Sequence, residues 1–213
     1  MTTEIKTYRG NKLLFINQLD FDTICIATKK HTKEYDIELI FINKDGSRAK
    51  MCGNALVQTS LDWFNLRNEP LRIKVGNVIL RSLQTQEEIR IEMPKVKYEK
   101  AYENENYITA NIGNNHNLYF YPKKVYDGEG DYNISIIEII NDTTIFVDTW
   151  ERGVGKTESC GSAACCAAWV YCKEYLKKDA IITVKQTGGD IIVDCTGEFP
   201  ILIHKIEDMN NDY

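Results

Sequence analysis

The chain has 213 residues, 43% hydrophobic and 27% charged, a size for one large domain or two small ones and a balance that excludes a mainly disordered or collagen-like chain. Lys and Arg number 26 against 31 Asp and Glu, a net charge of −5, which argues against a nucleic-acid partner because no cation excess is available for phosphates. The longest apolar run is the ten residues 163–172, far short of the roughly 18 residues of a membrane span. Near the start, Leu13-Leu14-Phe15-Ile16 is too short for a signal-peptide core. A cytoplasmic protein with neither a membrane nor a nucleic-acid partner is expected.

In chain order, the first landmark is Gly10-Asn11 ahead of the apolar strand pattern Lys12-Leu13-Leu14-Phe15. Met51-Cys52-Gly53-Asn54-Ala55 then opens a segment whose Val57, Leu61 and Phe64 stand at i, i+4 and i+7, the spacing of an apolar helical face. Residues 65–70, ending in Pro70, stop it. A β-branched stretch with a glycine turn follows, Ile73-Lys74-Val75-Gly76-Asn77-Val78-Ile79. Glu88-Ile89-Arg90-Ile91-Glu92-Met93 alternates as a strand, and Pro94, with no N–H for a ladder, suits its end. Residues 98–106 are polar and loop-like.

The same landmarks then return in the same order. Gly113-Asn114-Asn115-His116 precedes Asn117-Leu118-Tyr119-Phe120, and Ser159-Cys160-Gly161-Ser162-Ala163 opens a second helix. That helix is apolar on every side and is expected inside its own sheet. Ile182-Thr183-Val184 and Ile191-Ile192-Val193 flank the turn Gly188-Gly189, and residues 201–206 close the half as a strand. Cys52 follows Gly10 by 42 residues and Cys160 follows Gly113 by 47. This is a tandem duplication: an α/β (α+β) fold of two pseudo-symmetric lobes, residues 1–96 and 97–213, with more strands than helices and a last strand free to return to the first lobe.

Seven cysteines are an odd number, so a complete disulfide framework is excluded, and reduced thiols are the simpler reading. No Cys-x-x-Cys occurs and the three histidines lie far apart, so a zinc site has no support. Cys165, Cys166 and Cys172 in the apolar helix, and Cys25 and Cys195 in strand-like text, read as small packed hydrophobes. Cys52 and Cys160 differ because each stands at a helix start, beside unpaired N–H groups and the positive end of the dipole, an environment expected to lower a thiol pKa. Gly53-Asn54 and Gly161-Ser162 leave backbone N–H groups open to a carboxylate. Facing each other across a cleft, two such starts form a device that removes a proton from a carbon beside a carboxylate on one face and returns one on the other. A thiol redox protein is the competing use of the same pair. Gly155-Lys156-Thr157 mimics the end of a P-loop, but the required first glycine falls at Trp150.

The blocks Asn43-Lys44-Asp45-Gly46-Ser47-Arg48-Ala49-Lys50-Met51-Cys52-Gly53-Asn54 and Glu151-Arg152-Gly153-Val154-Gly155-Lys156-Thr157-Glu158-Ser159-Cys160-Gly161-Ser162 resemble the two signature blocks of diaminopimelate epimerase. Gly113-Asn114-Asn115-His116 is similar to the family's Gly-Asn-Pro-His block and Gly10-Asn11 to its N-terminal one. The resemblance runs from residue 10 to about 206 and implies two lobes, each wrapping strands around a central helix, with the active site between them and no cofactor or metal. It implies Cys52 and Cys160 as the acid–base pair, His116 near the reacting centre, and Gly53, Asn54, Gly161 and Ser162 as the cradle for the reacting carboxylate. Asn11, Asn43, Asn114, Asn133, Glu151 and Arg152 would recognise the remote end of the substrate, Arg152 gripping a carboxylate and Glu151, counted among the catalytic groups as well, accepting from an ammonium.

The chain is compact beside that pattern. A Gly-Ile-Gly-x-Asp stretch and the substrate-contacting glutamine after it are missing around residues 25–37. The expected function is interconversion of LL- and meso-diaminopimelate, a step in lysine and peptidoglycan precursor synthesis. The alternatives are a racemase of the same mechanism acting on another amino acid such as histidine, and an amino-acid-binding paralogue without turnover. The expected partner is a small amino acid, and the resemblance leaves room for a homodimer.

Overall fold

A computed structural model describes residues 2–8, 11–17, 21–30, 32–100, 107–120 and 131–206, with side chains from residue 21 onward. Among the described residues, β1 (Thr2–Tyr8) and β2 (Asn11–Asn17) pair only with each other, antiparallel. The first half continues with β3 (Thr23–Lys29), β4 (Ile37–Asn43), β5 (Arg48–Ala49), α1 (Gly53–Arg67), β6 (Leu71–Val75), β7 (Val78–Gln84) and β8 (Glu88–Glu92). The second contains β9 (Lys97–Lys100), β10 (Ile108–Asn111), β11 (Asn115–Phe120), β12 (Asn133–Asn141), β13 (Thr144–Glu151), β14 (Gly155–Thr157), α2 (Gly161–Val170), β15 (Ile181–Gln186), β16 (Gly189–Asp194) and β17 (Ile201–Lys205). A π-helical turn, Tyr171–Leu176, extends α2.

The duplication appears as matched pairings. β4 runs parallel to β6 with α1 as the crossover, and β13 runs parallel to β15 with α2 as the crossover. β5 folds back on β4 as β14 does on β13, and each half ends in an antiparallel meander, β6-β7-β8 and β15-β16-β17. β8 and β17 then pair antiparallel, with Ile203 opposite Arg90, which relates the two meanders by a local twofold. One path of strands runs from β3 to β9 through the β8–β17 seam. Arg90 ties the seam by donating to Asp194 across β17, at 3.2 Å.

Each lobe wraps its sheet around its helix. All ten residues of α2 are buried, Ala163 to Ala168 completely, because Ala and Cys are small enough for strands to close on every face at interior packing density. α1 differs from the periodicity expected for it. Its buried face is Gly53, Leu56, Val57, Ser60 and Trp63, whereas Leu61 and Phe64 are only half-buried. Ser60 hides the pattern: its hydroxyl donates to Leu56 O within the helix at 2.8 Å, so a polar residue sits on the core face without an unpaired group. α1 stops where expected, at Asn68 in the left-handed region (φ 52°), whose N–H returns to Phe64 O.

Two further expectations are corrected. The segment from residue 98 begins in a strand, β9, because it pairs with β10 and Tyr98 donates its hydroxyl to Glu174 at 2.9 Å; residues 101–106 lie outside the described residues. Cys25 is exposed on β3, whereas Cys165, Cys166, Cys172 and Cys195 are fully buried packing residues. Among the described residues no helix is long and apolar enough to cross a membrane.

Leu202 sits fully buried on β17, with its side chain against Gly161. Leu202→Ala is expected to destabilise the protein by about 2–5 kcal/mol through loss of burial and the cavity left behind. Urea unfolding midpoints of the two proteins check this, and an unchanged midpoint would remove the seam from the core.

Candidate active site

The two helix starts meet at the centre of the molecule. A Cβ built on Gly53 would lie 2.8 Å from the Gly161 Cα, and one on Gly161 would lie 3.0 Å from the Gly53 Cα. No side chain fits at either position without parting the helices. Cys52 and Cys160 immediately precede these glycines as the N-cap residues, with almost superposable backbones (φ −142°, ψ 103° and φ −136°, ψ 104°). Both sulfur-bearing residues, both glycines, Asn54 and Ser162 line one cavity of about 460 Å³ together with Glu151. The first backbone N–H groups of each helix have no intrahelical acceptor, so the cavity floor carries two sets of donors and the positive ends of two dipoles.

A second cavity of about 230 Å³ is lined by Asn43, Lys50, Asn114, Asp131, Asn133, Glu151 and Arg152, among others. Glu151 faces both cavities and joins them. The three asparagines of this group are engaged by the protein itself. Asn43 Nδ2 donates to Arg152 O at 3.0 Å, Asn114 accepts from Lys50 N–H at 3.0 Å and donates to Met51 O at 2.8 Å, and Asn133 Oδ1 accepts from Arg152 N–H at 2.9 Å. Asn43 and Asn114 thereby stitch one lobe to the other beside the cavity. Arg152 donates through Nη2 to Arg48 O at 3.2 Å. Asn11 opens β2, but its side chain lies outside the described residues, as does Gly10.

His116 lines neither cavity; it is completely buried behind Ser162. Its Nε2 lies 3.0 Å from Ser162 Oγ, which in turn is 3.5 Å from Cys160 Sγ. The Asn133 amide, oriented by its bond to Arg152, presents Nδ2 to the same Nε2 at 3.5 Å. Two proton placements fit this chain. With the proton on Nδ1, Nε2 accepts from Ser162 and from the Asn133 amide, and the Cys160 thiol donates to Ser162; with it on Nε2, the order reverses and Ser162 donates to a Cys160 thiolate, but the Nε2 N–H then faces the Asn133 donor. Nδ1 has no hydrogen-bond partner among the described residues, so the first placement leaves a buried N–H unpaired and the second only a bare acceptor. Burial lowers the His116 pKa to about 3, so the ring is neutral at physiological pH and acts through its hydrogen bonds rather than as a cation.

The expectation of acidic thiols is overturned. Burial pushes the Cys52 thiol up to about 11, and the Glu151 carboxylate adds to the rise, while the N–H groups of Ala55 and Asn54 act in the opposite sense and lose. Cys160, 5% exposed, is also raised well above the ordinary thiol value by burial and then by Glu151, against the smaller opposing effects of Ser162 and the Ala163 N–H. Glu151 is itself raised by burial, partly offset by the Thr157 hydroxyl, which donates to it at 2.9 Å, and by Cys160. Both cysteines therefore rest as thiols.

Several residues at the cavity or behind it have no motif to announce them. Asp22 and Thr23 border the larger cavity at the start of β3, Thr157 holds Glu151, and Gln186 at the end of β15 bonds to Cys160. Each arrives from a strand end or loop remote in sequence, and only Thr157 stands inside a block whose pattern could have marked it. Among the described residues no group of three His, Cys, Asp or Glu side chains is placed to hold a metal ion.

Two outcomes follow from this geometry. Gly53→Ala is expected to cost about 1–3 kcal/mol, the range for overpacking a filled interior; urea unfolding checks it, and a neutral result would show that the helix starts can part. A raised thiol stays protonated until the pH approaches its pKa, so iodoacetamide labelling of Cys52, which needs thiolate, should keep climbing with pH towards about 11. A labelling rate that levels off below pH 9, the ordinary thiol value, would show that the helix start dominates after all.

Comparison with known proteins agrees with the arrangement. The family model described as diaminopimelate epimerase matches residues 123–206. Curated relatives named diaminopimelate epimerase include those of Bartonella bacilliformis, 30% identical over 71% of this chain and 66% of the relative, Methanococcus maripaludis, 29% identical over 75% and 72%, and Blochmanniella floridana, 24% identical over 84% and 78%. The chain thus spans between about two thirds and four fifths of the length of these relatives. Among solved structures, a predicted epimerase from Pseudomonas aeruginosa shares the fold with a TM-score of 0.71 at 10% identity, covering 86% of this chain and 80% of that one. A hydroxyproline epimerase from Agrobacterium vitis, with bound trans-4-hydroxy-L-proline, does so with a TM-score of 0.67 at 9% identity, covering 85% and 72%. With its paired Cys-Gly helix starts and this set of relatives, the chain is similar to the diaminopimelate epimerase family.

Proposed function

We propose that the protein is a cofactor-independent isomerase that interconverts LL- and meso-diaminopimelate by a two-base mechanism. The observation that carries this reading is the pair of matched N-cap cysteines opening into one cavity over abutting helix starts. The reacting carboxylate is held on the N–H groups of Gly53, Asn54, Gly161 and Ser162. One sulfur, as thiolate, takes the Cα proton and becomes a thiol. The negative charge left on Cα spreads into the carboxylate, where the helix-start donors stabilise it. The other thiol delivers its proton to the opposite face and becomes the thiolate. In one direction Cys160 is the base and Cys52 the acid, and in the other they exchange roles.

The raised thiols fit this chemistry. A Cα–H beside a carboxylate is a weak acid, and a thiolate whose conjugate acid has a high pKa is the stronger base for it. An ammonium brought into the cavity with the substrate favours that thiolate by direct attraction. Glu151, beside Cys160 and exposed to both cavities, raises both thiols, which opposes the presence of two thiolates at once. His116 acts on Cys160 only through Ser162 and is a positioning residue. In the second cavity, Arg152 and Glu151 recognise the remote carboxylate and ammonium. Both sulfurs come from one chain, so a homodimer is not needed to complete the site. Lysine and peptidoglycan precursor synthesis in the cytoplasm is the setting this reading implies.

A second reading, a racemase of the same mechanism acting on another amino acid such as histidine, is favoured by the asparagines of the remote cavity, whose amides are spent on the protein itself. Deuterium uptake at Cα from heavy water, followed by mass spectrometry under reducing conditions, separates the two. Exchange is expected with both diaminopimelate isomers, falling by about 10²–10⁴-fold in Cys52→Ser and in Cys160→Ser, the contribution of a positioned acid or base. Exchange with a different amino acid alone would select the second reading. No exchange across an amino-acid panel would overturn both in favour of a binding protein.

A further inference from the structure

Resting on the two-base reading above, we propose that Gln186 is a positioning residue that clamps Cys160 and makes the two sulfurs mechanically unequal. Gln186 is the last residue of β15 and only 7% exposed. Its Oε1 accepts from the Cys160 N–H at 3.1 Å and from the Ser159 hydroxyl at 3.1 Å, and its Nε2 donates to the Cys160 carbonyl at 3.3 Å. One amide thus grips both backbone groups of a single residue, and two donors on one end with an acceptor on the other fix which way the amide faces. The turn that follows is packed onto the same segment. Gly188 N–H donates to Glu158 O at 2.8 Å, and a Cβ on Gly188 would lie 3.1 Å from the Glu158 Cβ. Strand end, turn and the residues leading into α2 therefore form one block that walls the cavity.

The duplication supplies its own control. The β15–β16 ladder ends with Gln186 opposite Gly189, and the β6–β7 ladder ends with Val75 opposite Val78. Val75 is therefore the counterpart of Gln186; it is similarly buried, at 5% exposure, but its side chain carries no polar atom. The two N-cap residues otherwise match: their dihedrals agree closely, and each carbonyl accepts from the N–H four residues on, Leu56 at 3.1 Å and Ala164 at 3.0 Å. Among the described residues the clamp is an addition on one side only. It turns the Cys160 N–H onto Gln186 and leaves Gly161 and Ser162 to present theirs to a ligand. The N-cap torsions aim the sulfur at Cα, so holding the N–H and C=O on either side of Cα160 holds that aim. Cys52, half-buried and without this amide, has more freedom to follow the substrate.

The test uses full-length Gln186→Val, which installs the residue of the other lobe, and Gln186→Glu, which keeps an acceptor for the two donors and loses the Nε2 donor. Iodoacetamide labelling resolved by peptide mapping compares Cys160 with Cys52 inside the same molecule, and deuterium exchange gives kcat and KM. In Gln186→Val the labelling rate of Cys160 should rise about tenfold with Cys52 unchanged, and kcat should fall about tenfold at near-constant KM, as expected when a reacting group loses its alignment. Gln186→Glu should restore part of the protection of Cys160, and it carries the same comparison should the valine variant not fold. Equal changes at both cysteines, or no change at Cys160, would overturn the proposal. Labelling needs no turnover, so a wild-type protein that fails to exchange any amino acid overturns the epimerase reading while the labelling ratio still decides the role of Gln186.

Discussion

The contact between Gly53 and Gly161 is the constraint on which the rest of the arrangement depends. Two helix starts of the same polarity, each carrying the positive end of a dipole, are brought nearly into backbone contact. Bare like-charged ends repel, so the arrangement is suited to an anion placed between them. The position before each glycine is then forced to lie at the rim of the shared cavity, and both of those positions are cysteine. The β8–β17 pairing lies behind this contact, with Leu202 packed against Gly161. The sheet fixes how closely the helices approach, and glycine allows that approach.

Electrostatics at this junction is a competition that magnitudes decide. The end of a helix is worth about 0.3–1 kcal/mol to a nearby charge, less than one pKa unit. Burying a thiol that would become an anion shifts it by up to about 3–5 units in the other direction. Cys52 is half-buried and Cys160 buried, with a carboxylate beside them. Desolvation therefore wins. The same donors that fail to make the thiols acidic are free to hold a ligand carboxylate, so the helix starts serve the substrate more than the sulfurs.

Asymmetry is laid over this symmetric frame. Ser162, His116 and Asn133 form a buried chain behind Cys160, and Gln186 grips its backbone from the other side. The counterpart of Gln186 is a valine, and no equivalent polar chain is described behind Cys52. Glu151 stands between the two cavities and couples them, because its charge is felt by both sulfurs while its side chain borders the polar cavity of Arg152. The duplication supplied two equal halves, and side chains from strand ends made them different.

Much of the fold was legible in the residues. The recurrence of Gly-Asn, Cys-Gly and a β-branched hairpin at matched spacing is enough for two lobes, because each block marks a backbone event: a turn, a helix start or a paired strand. The uniformly apolar run after Cys160 is enough for a helix enclosed by its sheet, since no face of it can meet water. What sequence cannot carry is anything set by neighbours distant along the chain. The acidity of Cys52 follows from depth beneath other elements and from a carboxylate 99 positions away, and local context pointed the wrong way. Ser60 stands outside the expected apolar spacing of Val57, Leu61 and Phe64, because its pairing to Leu56 is invisible in a hydropathy pattern. The asparagines at 43, 114 and 133 matched a substrate-contact pattern, and the fold spends the amides of Asn43 and Asn114 on joining the lobes and that of Asn133 on Arg152 and His116. Gln186 belongs to no motif, and its partner lies 26 residues away. The amino-acid sequence by itself determined the duplication, the two helix starts and the pair of thiols, because these are local and repeated; tertiary structure alone decided their protonation, their inequality and which polar groups remain for a ligand, because those depend on burial and on contacts that only the closed sheet creates.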